Sequence, residues 1–131
     1  MAYTTIEPEH VRPVAAYKMA TRYESGRLLF LPVQWAYDAD GQLVGGGDIR
    51  IQTRQVYENL RLALRDADGD LADLVKITTY LTCMNDFPAS KEARDPFIPG
   101  DAPAATLLEV PRFQNPDVLI QVEAVAVIDT V

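Results

Sequence analysis

A mixed-sheet α+β fold, with two helices lying on one face of the sheet, is the architecture this sequence predicts. The first observation behind it is a helical period. Ile49, Thr53, Val56, Leu60, Ala63, Leu64 and Ala67 recur at three- and four-residue spacing, with Arg50, Arg54, Glu58, Arg61 and Arg65 on the opposite side. The second is the order of the remaining runs: strand-like segments bracket that helix and a shorter one as ββ-α-β-α-ββ. The third is alternation near the end of the chain, where Val118, Ile120, Val122, Ala124 and Ala126 point one way and Gln121 and Glu123 the other. Two helices cover one sheet face. The other face, carrying Leu28, Phe30, Ile77 or Val125 according to register, predicts self-association.

Each element has its own signal. Residues 1–16 hold Pro8 and Pro13 without a period, which marks an N-terminal arm to a single domain spanning residues 1–131. Strands follow at Tyr17–Glu24 and Arg27–Tyr37, parted by the Ser25-Gly26 turn. The consecutive apolar residues Leu28 to Leu31 suit a strand buried on both faces, and Pro32 marks an edge, a bulge or a stop in pairing. Asp48 is placed to cap the long helix, which ends before Asp68-Gly69. Leu74–Cys83 has strand composition. Asp86 stands where a cap for a second helix would start near Pro88, with Ala89, Ala93 and Phe97 inward and Pro96 and Pro99-Gly100 ending it. Ala104–Val110 and Val118–Ile128 complete the sheet.

Composition narrows the function. The chain has 131 residues, 48% hydrophobic and 24% charged, enough to bury a core without covalent staples. A single cysteine, Cys83, excludes an internal disulfide and a cysteine-built zinc site, and His10 is the only histidine. The net charge of −7 opposes binding to nucleic acid or an anionic membrane surface. No run has the ~20 apolar residues of a membrane span, and the N-terminus lacks signal-peptide character. The expectation is a soluble cytoplasmic protein with neither metal nor cofactor.

Several stretches carry a resemblance. Gln52-Thr53-Arg54-Gln55-Val56-Tyr57-Glu58-Asn59-Leu60, Asp73 to Leu81 with Met84-Asn85-Asp86-Phe87, Pro103-Ala104 before a strand, and Ile120 to Ala126 are collinear with one pattern. It is similar to that of the Rid (reactive intermediate deaminase, YjgF-like) family. The resemblance implies a chorismate-mutase-like subunit in a ring-shaped homotrimer, with ligand clefts between neighbouring subunits. It also implies hydrolysis of enamines and imines of 2-amino acids to 2-oxo acids and ammonia, without metal or cofactor.

The chemistry-bearing positions depart from that pattern. The family's Pro-Ala-Arg-Ser, whose arginine grips a substrate carboxylate, is Pro103-Ala104-Ala105-Thr106 here, and alanine offers no fork of donors. Arg112 lies about 23 Å further along a straight strand; Arg94 or Arg22 of a neighbouring subunit is the alternative. The family's water-positioning carboxylate falls on Gln121, which orients water but takes no proton from it, while Glu123 two residues on shares its strand face. The Ser-Gly-Gln corner is Pro32-Val33-Gln34, and the asparagine of the second helix is Lys91.

The resemblance therefore implies a catalytic pair of Glu123 and Gln121, with a substrate-binding set of Tyr17, Val33, Gln34, Lys91, Ala105, Thr106 and Leu107. Bland alternatives stand beside these roles: a solvated helix lysine at Lys91, a packing tyrosine at Tyr17 and a carboxylate bonded at a subunit contact at Glu123. Trp35 and Tyr37 read as interface packing or a pocket floor. Cys83 and His10 lack catalytic context, Gly45-Gly46-Gly47 reads as a flexible connection, and Asp66, Asp68, Asp70 and Asp73 as a solvated turn. The expected function is a divergent small-molecule enzyme of this type. It would act on an enamine, imine or related carbonyl compound in an apolar, uncharged intersubunit pocket, by hydrolysis or proton transfer. The alternative is a non-catalytic ligand-binding or protein-stabilising trimer.

Overall fold

A computed structural model describes residues 2–10, 17–18, 20–98 and 102–129. In chain order the elements are β1 (Tyr3–Ile6), β2 (Ala20–Tyr23), β3 (Arg27–Gln34), α1 (Ile49–Asp66), β4 (Leu74–Leu81), α2 (Phe87–Arg94), β5 (Ala104–Glu109) and β6 (Ile120–Ile128). Four strands form one sheet in the order β3-β6-β4-β5, with β4 and β5 parallel and the other pairs antiparallel. The mixed α+β sheet expected from the sequence is present, with both helices on one face.

The long helix starts where Asp48 allows it. Its carboxylate accepts from the backbone N–H of Arg50 and Ile51 at 3.0 and 3.2 Å, satisfying two donors that have no intrahelical partner. Gly45 just before it is fixed rather than loose: its φ is +74°, and a Cβ there would lie 2.5 Å from the Ile51 side chain. Val56, Tyr57, Leu60 and Leu64 of α1 pack on Ile77 and Leu81 of β4 and on Ile120, Val122, Ala124 and Ala126 of β6, forming the core. Each such aliphatic side chain contributes ~1.5–3 kcal/mol by leaving water.

Two residues of α1 tie down loops. Gln52 is fully buried; its Nε2 donates to the carbonyls of Gly45 (3.0 Å) and Asp117 (2.8 Å), and its Oε1 accepts from the N–H of Leu119 at 2.8 Å. Asn59 Nδ2 donates to the carbonyls of Trp35 and Tyr37 at 3.0 and 2.8 Å. A large part of the helix signature is thus structural. The buried 2.8 Å bond between the Thr53 and Ser90 hydroxyls fastens α2 to α1.

Four expectations are corrected. The segment read as an arm contains β1, which pairs antiparallel with β2 from Tyr3↔Tyr23 to Ile6↔Ala20; residues 11–16 lie outside the described residues. The strand expected over Tyr17–Glu24 is regular only at Ala20–Tyr23, and that expected over Arg27–Tyr37 ends at Gln34. Leu28 and Phe30 are not buried on both faces: they are 50% and 70% exposed, on the face away from the helices, while Ile77 is in the core. Asp86 does not cap α2 with its side chain; a 3-10 turn over Met84–Asp86 leads into the helix, with Pro88 in its first turn.

Pro32 produces the irregularity expected of it. Leu31 pairs with Ala124 and Gln34 with Val122, so β3 carries one extra residue at Pro32-Val33, and β3 is an edge strand.

Candidate functional site

Register assigns each side chain to a face. Thr78 lies opposite Glu123, Tyr80 opposite Gln121 and Lys76 opposite Val125, all on the face away from the helices. Phe30 pairs with Val125, and Thr106 with Thr78, on that same outer face. Neither helix covers this face, although Val127 and Gln121 toward its two ends are buried.

A depression of about 550 Å³ opens there, lined by Phe30, Leu31, Pro32, Lys76, Thr78, Glu123, Ala124 and Val125. Glu123 is its acid. The Tyr80 hydroxyl donates to Glu123 Oε1 in a short bond, and Oε2 accepts no hydrogen bond from the described residues. That bond, more than partial burial, raises the Tyr80 pKa above the usual phenol value, so the hydroxyl remains a donor at neutral pH. Lys76 is the pocket's cation, its Nζ donating to Thr106 Oγ1 at 2.5 Å. The bulge at Pro32 shapes the rim, where Gln34 Nε2 donates to the Pro32 carbonyl at 3.2 Å. A held carboxylate with one free oxygen beside an ammonium can accept a proton from water and receive a polar ligand.

The residues singled out from sequence divide between two faces. Glu123, Gln121 and Thr106 share the outer one. Ala105 and Leu107 pair with Ile77 and Thr79 and pack against the core on the inner face, as does Tyr17, which bridges to Ala102 just before β5. Gln34 pairs with the inner-facing Val122, and Val33 is exposed in the bulge. Lys91 lies on the surface of α2, its Nζ donating to Asp95 at 3.3 Å, which fits the bland reading. Trp35 and Tyr37 meet edge-on, with ring centroids 5.1 Å apart, in the loop after β3. Sequence reasoning left out Lys76, Thr78 and Tyr80. The alternation of β4, Lys76-Ile77-Thr78-Thr79-Tyr80-Leu81, was the signal that identifies their shared face with Glu123 once the pairing is known.

A second polar group lies on the inner side. Tyr57 is 1% exposed and its hydroxyl has no hydrogen-bond partner; the Arg94 Nε is also buried without one. Burial pushes the Tyr57 pKa up to about 12 from 10.0, against the opposing pull of Arg94 and Thr79 beside it. Between those values the unfolded chain has released a proton that the folded one retains. Stability is therefore whole below pH 10.0 and falls as pH rises toward about 12. In an alkaline absorbance titration one tyrosine should ionise near pH 12, or only on unfolding. All six tyrosines ionising together near pH 10.0 with the fold intact would contradict this.

Fold and pocket together define a class: small α+β domains with two helices on one sheet face and a polar depression on the other. A model of the family described as Endoribonuclease L-PSP matches residues 8–128, and the chain belongs to that family, which includes the Rid and YjgF-like proteins. A RutC family protein of Pyrococcus horikoshii is 37% identical over 115 residues, covering 88% of this chain and 89% of its own. The 3-aminoacrylate deaminase RutC of Acinetobacter baylyi is 29% identical over 114 residues, covering 87% and 88%. The structure of the Rid family protein YyfB from Yersinia pestis superposes with a TM-score of 0.87 at 32% identity, covering 98% of this chain and 100% of that one. Among the described residues no helix is long and apolar enough to cross a membrane, and no group of three or more His, Cys, Asp or Glu could hold a metal ion.

Proposed function

We propose that this protein is a small-molecule enzyme acting on a reactive enamine, imine or related carbonyl compound, in a pocket completed where the outer sheet face of one copy meets another. The observation that carries this reading is Glu123, held at one oxygen by Tyr80 and free at the other, in a depression beside Lys76. A relative named 3-aminoacrylate deaminase, whose substrate is an enamine, supports the substrate class.

In hydrolysis, water adds its oxygen to the C=N carbon while its proton passes to Glu123. The carboxyl returns that proton to nitrogen; the hydroxyl proton of the resulting carbinolamine then passes to nitrogen by the same route through Glu123, and ammonia leaves as the carbonyl forms. Gln121, opposite Tyr80 on the same face, orients the water through its amide. With Ala105 and Gln121 in place of the usual arginine and glutamate, the protein is not a standard 2-imino-acid deaminase. Ammonia release from 2-iminopropanoate or 2-iminobutanoate is expected to be negligible; rates of ~1–10³ per second would overturn that.

The test of function is turnover of a panel of imines, cyclic enamines and their carbonyl products, with thermal shifts by the same compounds. Turnover of at least one supports the enzyme. Stabilisation without turnover by any supports the second reading, a non-catalytic ligand-binding or protein-stabilising trimer, which the loss of charge at positions 105 and 121 favours. Ribonuclease activity, named in the family's description, is disfavoured by the net charge of −7.

The assembly proposed is a homotrimer. Phe30 and Leu28 stand exposed beside Val125 on one continuous face, a surface that a monomer of this size does not ordinarily leave wet. Light scattering should give three times the 14.5 kDa of one chain. A stable monomer at micromolar concentration would sink the trimer, and with it a pocket shared between copies.

A further inference from the structure

We propose that Lys76 forms a covalent imine with aldehydes or ketones that enter the outer-face depression, while Glu123 carries the protons. The assignment rests on the small-molecule reading above and narrows it to carbonyl compounds with an apolar body.

Strand register brings the amine and the carboxylate together. Lys76 lies opposite Val125 and Thr78 opposite Glu123, so Lys76 and Glu123 are diagonal neighbours across the β4–β6 pair. Such neighbours stand ~7–8 Å apart at the backbone, a span that long side chains reach across. Both line the same depression of about 550 Å³. One C=O group fits between their ends, its carbon toward the amine and its oxygen toward the carboxyl.

The chain has three lysines, and their settings differ. Lys91 is tied to the Asp95 carboxylate at 3.3 Å, and Lys18 Nζ lies 5.6 Å from the centre of the Tyr3 ring. Among the described residues Lys76 makes no ion pair, and its Nζ donates to the neutral hydroxyl of Thr106 at 2.5 Å. A hydroxyl can give up that amine to a ligand without leaving a charge stranded. Glu123 is equally well placed: Tyr80 holds one oxygen, and the other accepts no hydrogen bond from the described residues.

The step balances without an oxidant or reductant. The Lys76 ammonium gives a proton to Glu123, and the freed nitrogen lone pair adds to the carbonyl carbon. The C=O π pair moves to oxygen, which takes a proton from nitrogen to give a carbinolamine. Glu123 then protonates the hydroxyl, which leaves as water while the nitrogen lone pair closes the C=N bond. One ammonium and one carbonyl become one protonated imine and one water. Phe30, Pro32 and Val125 wall the depression, so an aromatic or alicyclic body suits it.

The test is reductive trapping on the wild-type protein as it assembles in solution. Benzaldehyde or cyclohexanone is added with cyanoborohydride at mildly alkaline pH. Hydride fixes any imine as a secondary amine, which mass mapping of chymotryptic peptides locates. Lys76 should be modified at least about tenfold faster than Lys18 or Lys91. Glu123→Gln should slow its modification by about tenfold or more and leave the other two unchanged. Equal modification of the three lysines, or a preference for Lys76 that survives Glu123→Gln, overturns the assignment. The comparison among lysines is made within one wild-type molecule, so it decides even where the variant fails to fold. Turnover of an imine or enamine with no preference for Lys76 would refute this assignment alone. Preferential trapping at Lys76 without turnover of any compound would refute the enzyme reading alone.

Discussion

Replacing Gln52 with leucine is expected to cost roughly 3–6 kcal/mol of stability. Leucine fills similar space, so the loss comes from hydrogen bonds. The carbonyls of Gly45 and Asp117 and the N–H of Leu119 lose their partner together, at a residue fully shielded from water. Each unsatisfied group costs ~1–3 kcal/mol, against a whole-domain stability of ~5–15 kcal/mol. Urea unfolding at fixed protein concentration measures the difference, since any self-association ties stability to concentration. A variant as stable as the wild type would show that the two loops find other partners without Gln52.

The second large effect concerns chemistry. Glu123→Gln should lower turnover by ~10²–10⁴ on whichever compound the wild type consumes, because an amide accepts no proton from water. The substitution is nearly isosteric, and the amide oxygen still accepts from the Tyr80 hydroxyl, so stability and ligand binding should change little. Tyr80→Phe removes only the group that holds the carboxylate and should have the smaller effect on rate. Turnover by Glu123→Gln close to the wild-type value would place the base elsewhere. Together the two substitutions separate scaffold from site: one should weaken the domain, the other should leave it as stable but slow.

The sequence made some of this arrangement legible and hid the rest for physical reasons. α1 was readable because an 18-residue amphipathic period with an aspartate cap has few competing interpretations. The facing of Gln121 and Glu123 was readable because a half-buried strand alternates, and β6 alternates cleanly. β1 was not, since four residues pairing only with a short hairpin partner bury too little to impose a pattern. The run Leu28 to Leu31 misled, because apolar residues on an uncovered face look in sequence like residues in a core. Lys76 and Tyr80 were missed because which face of β4 meets Glu123 depends on pairing between strands some forty residues apart. Arg94 differs from any exposed arginine only in what α1 places against it.

The extra residue at Pro32 bears on the life of a newly made chain. Until something covers it, a freshly folded subunit presents a strand with one unpaired margin and two large apolar side chains, Leu28 and Phe30, standing in solvent. Such a margin templates the addition of any extended chain that drifts past, which is how precipitates and fibrils begin. Proline has no N–H to offer an incoming strand, and the bulge breaks the even spacing that continued growth requires. Pro32 thus guards the edge while leaving the sheet face open. The chain can wait for the right neighbour without recruiting the wrong one.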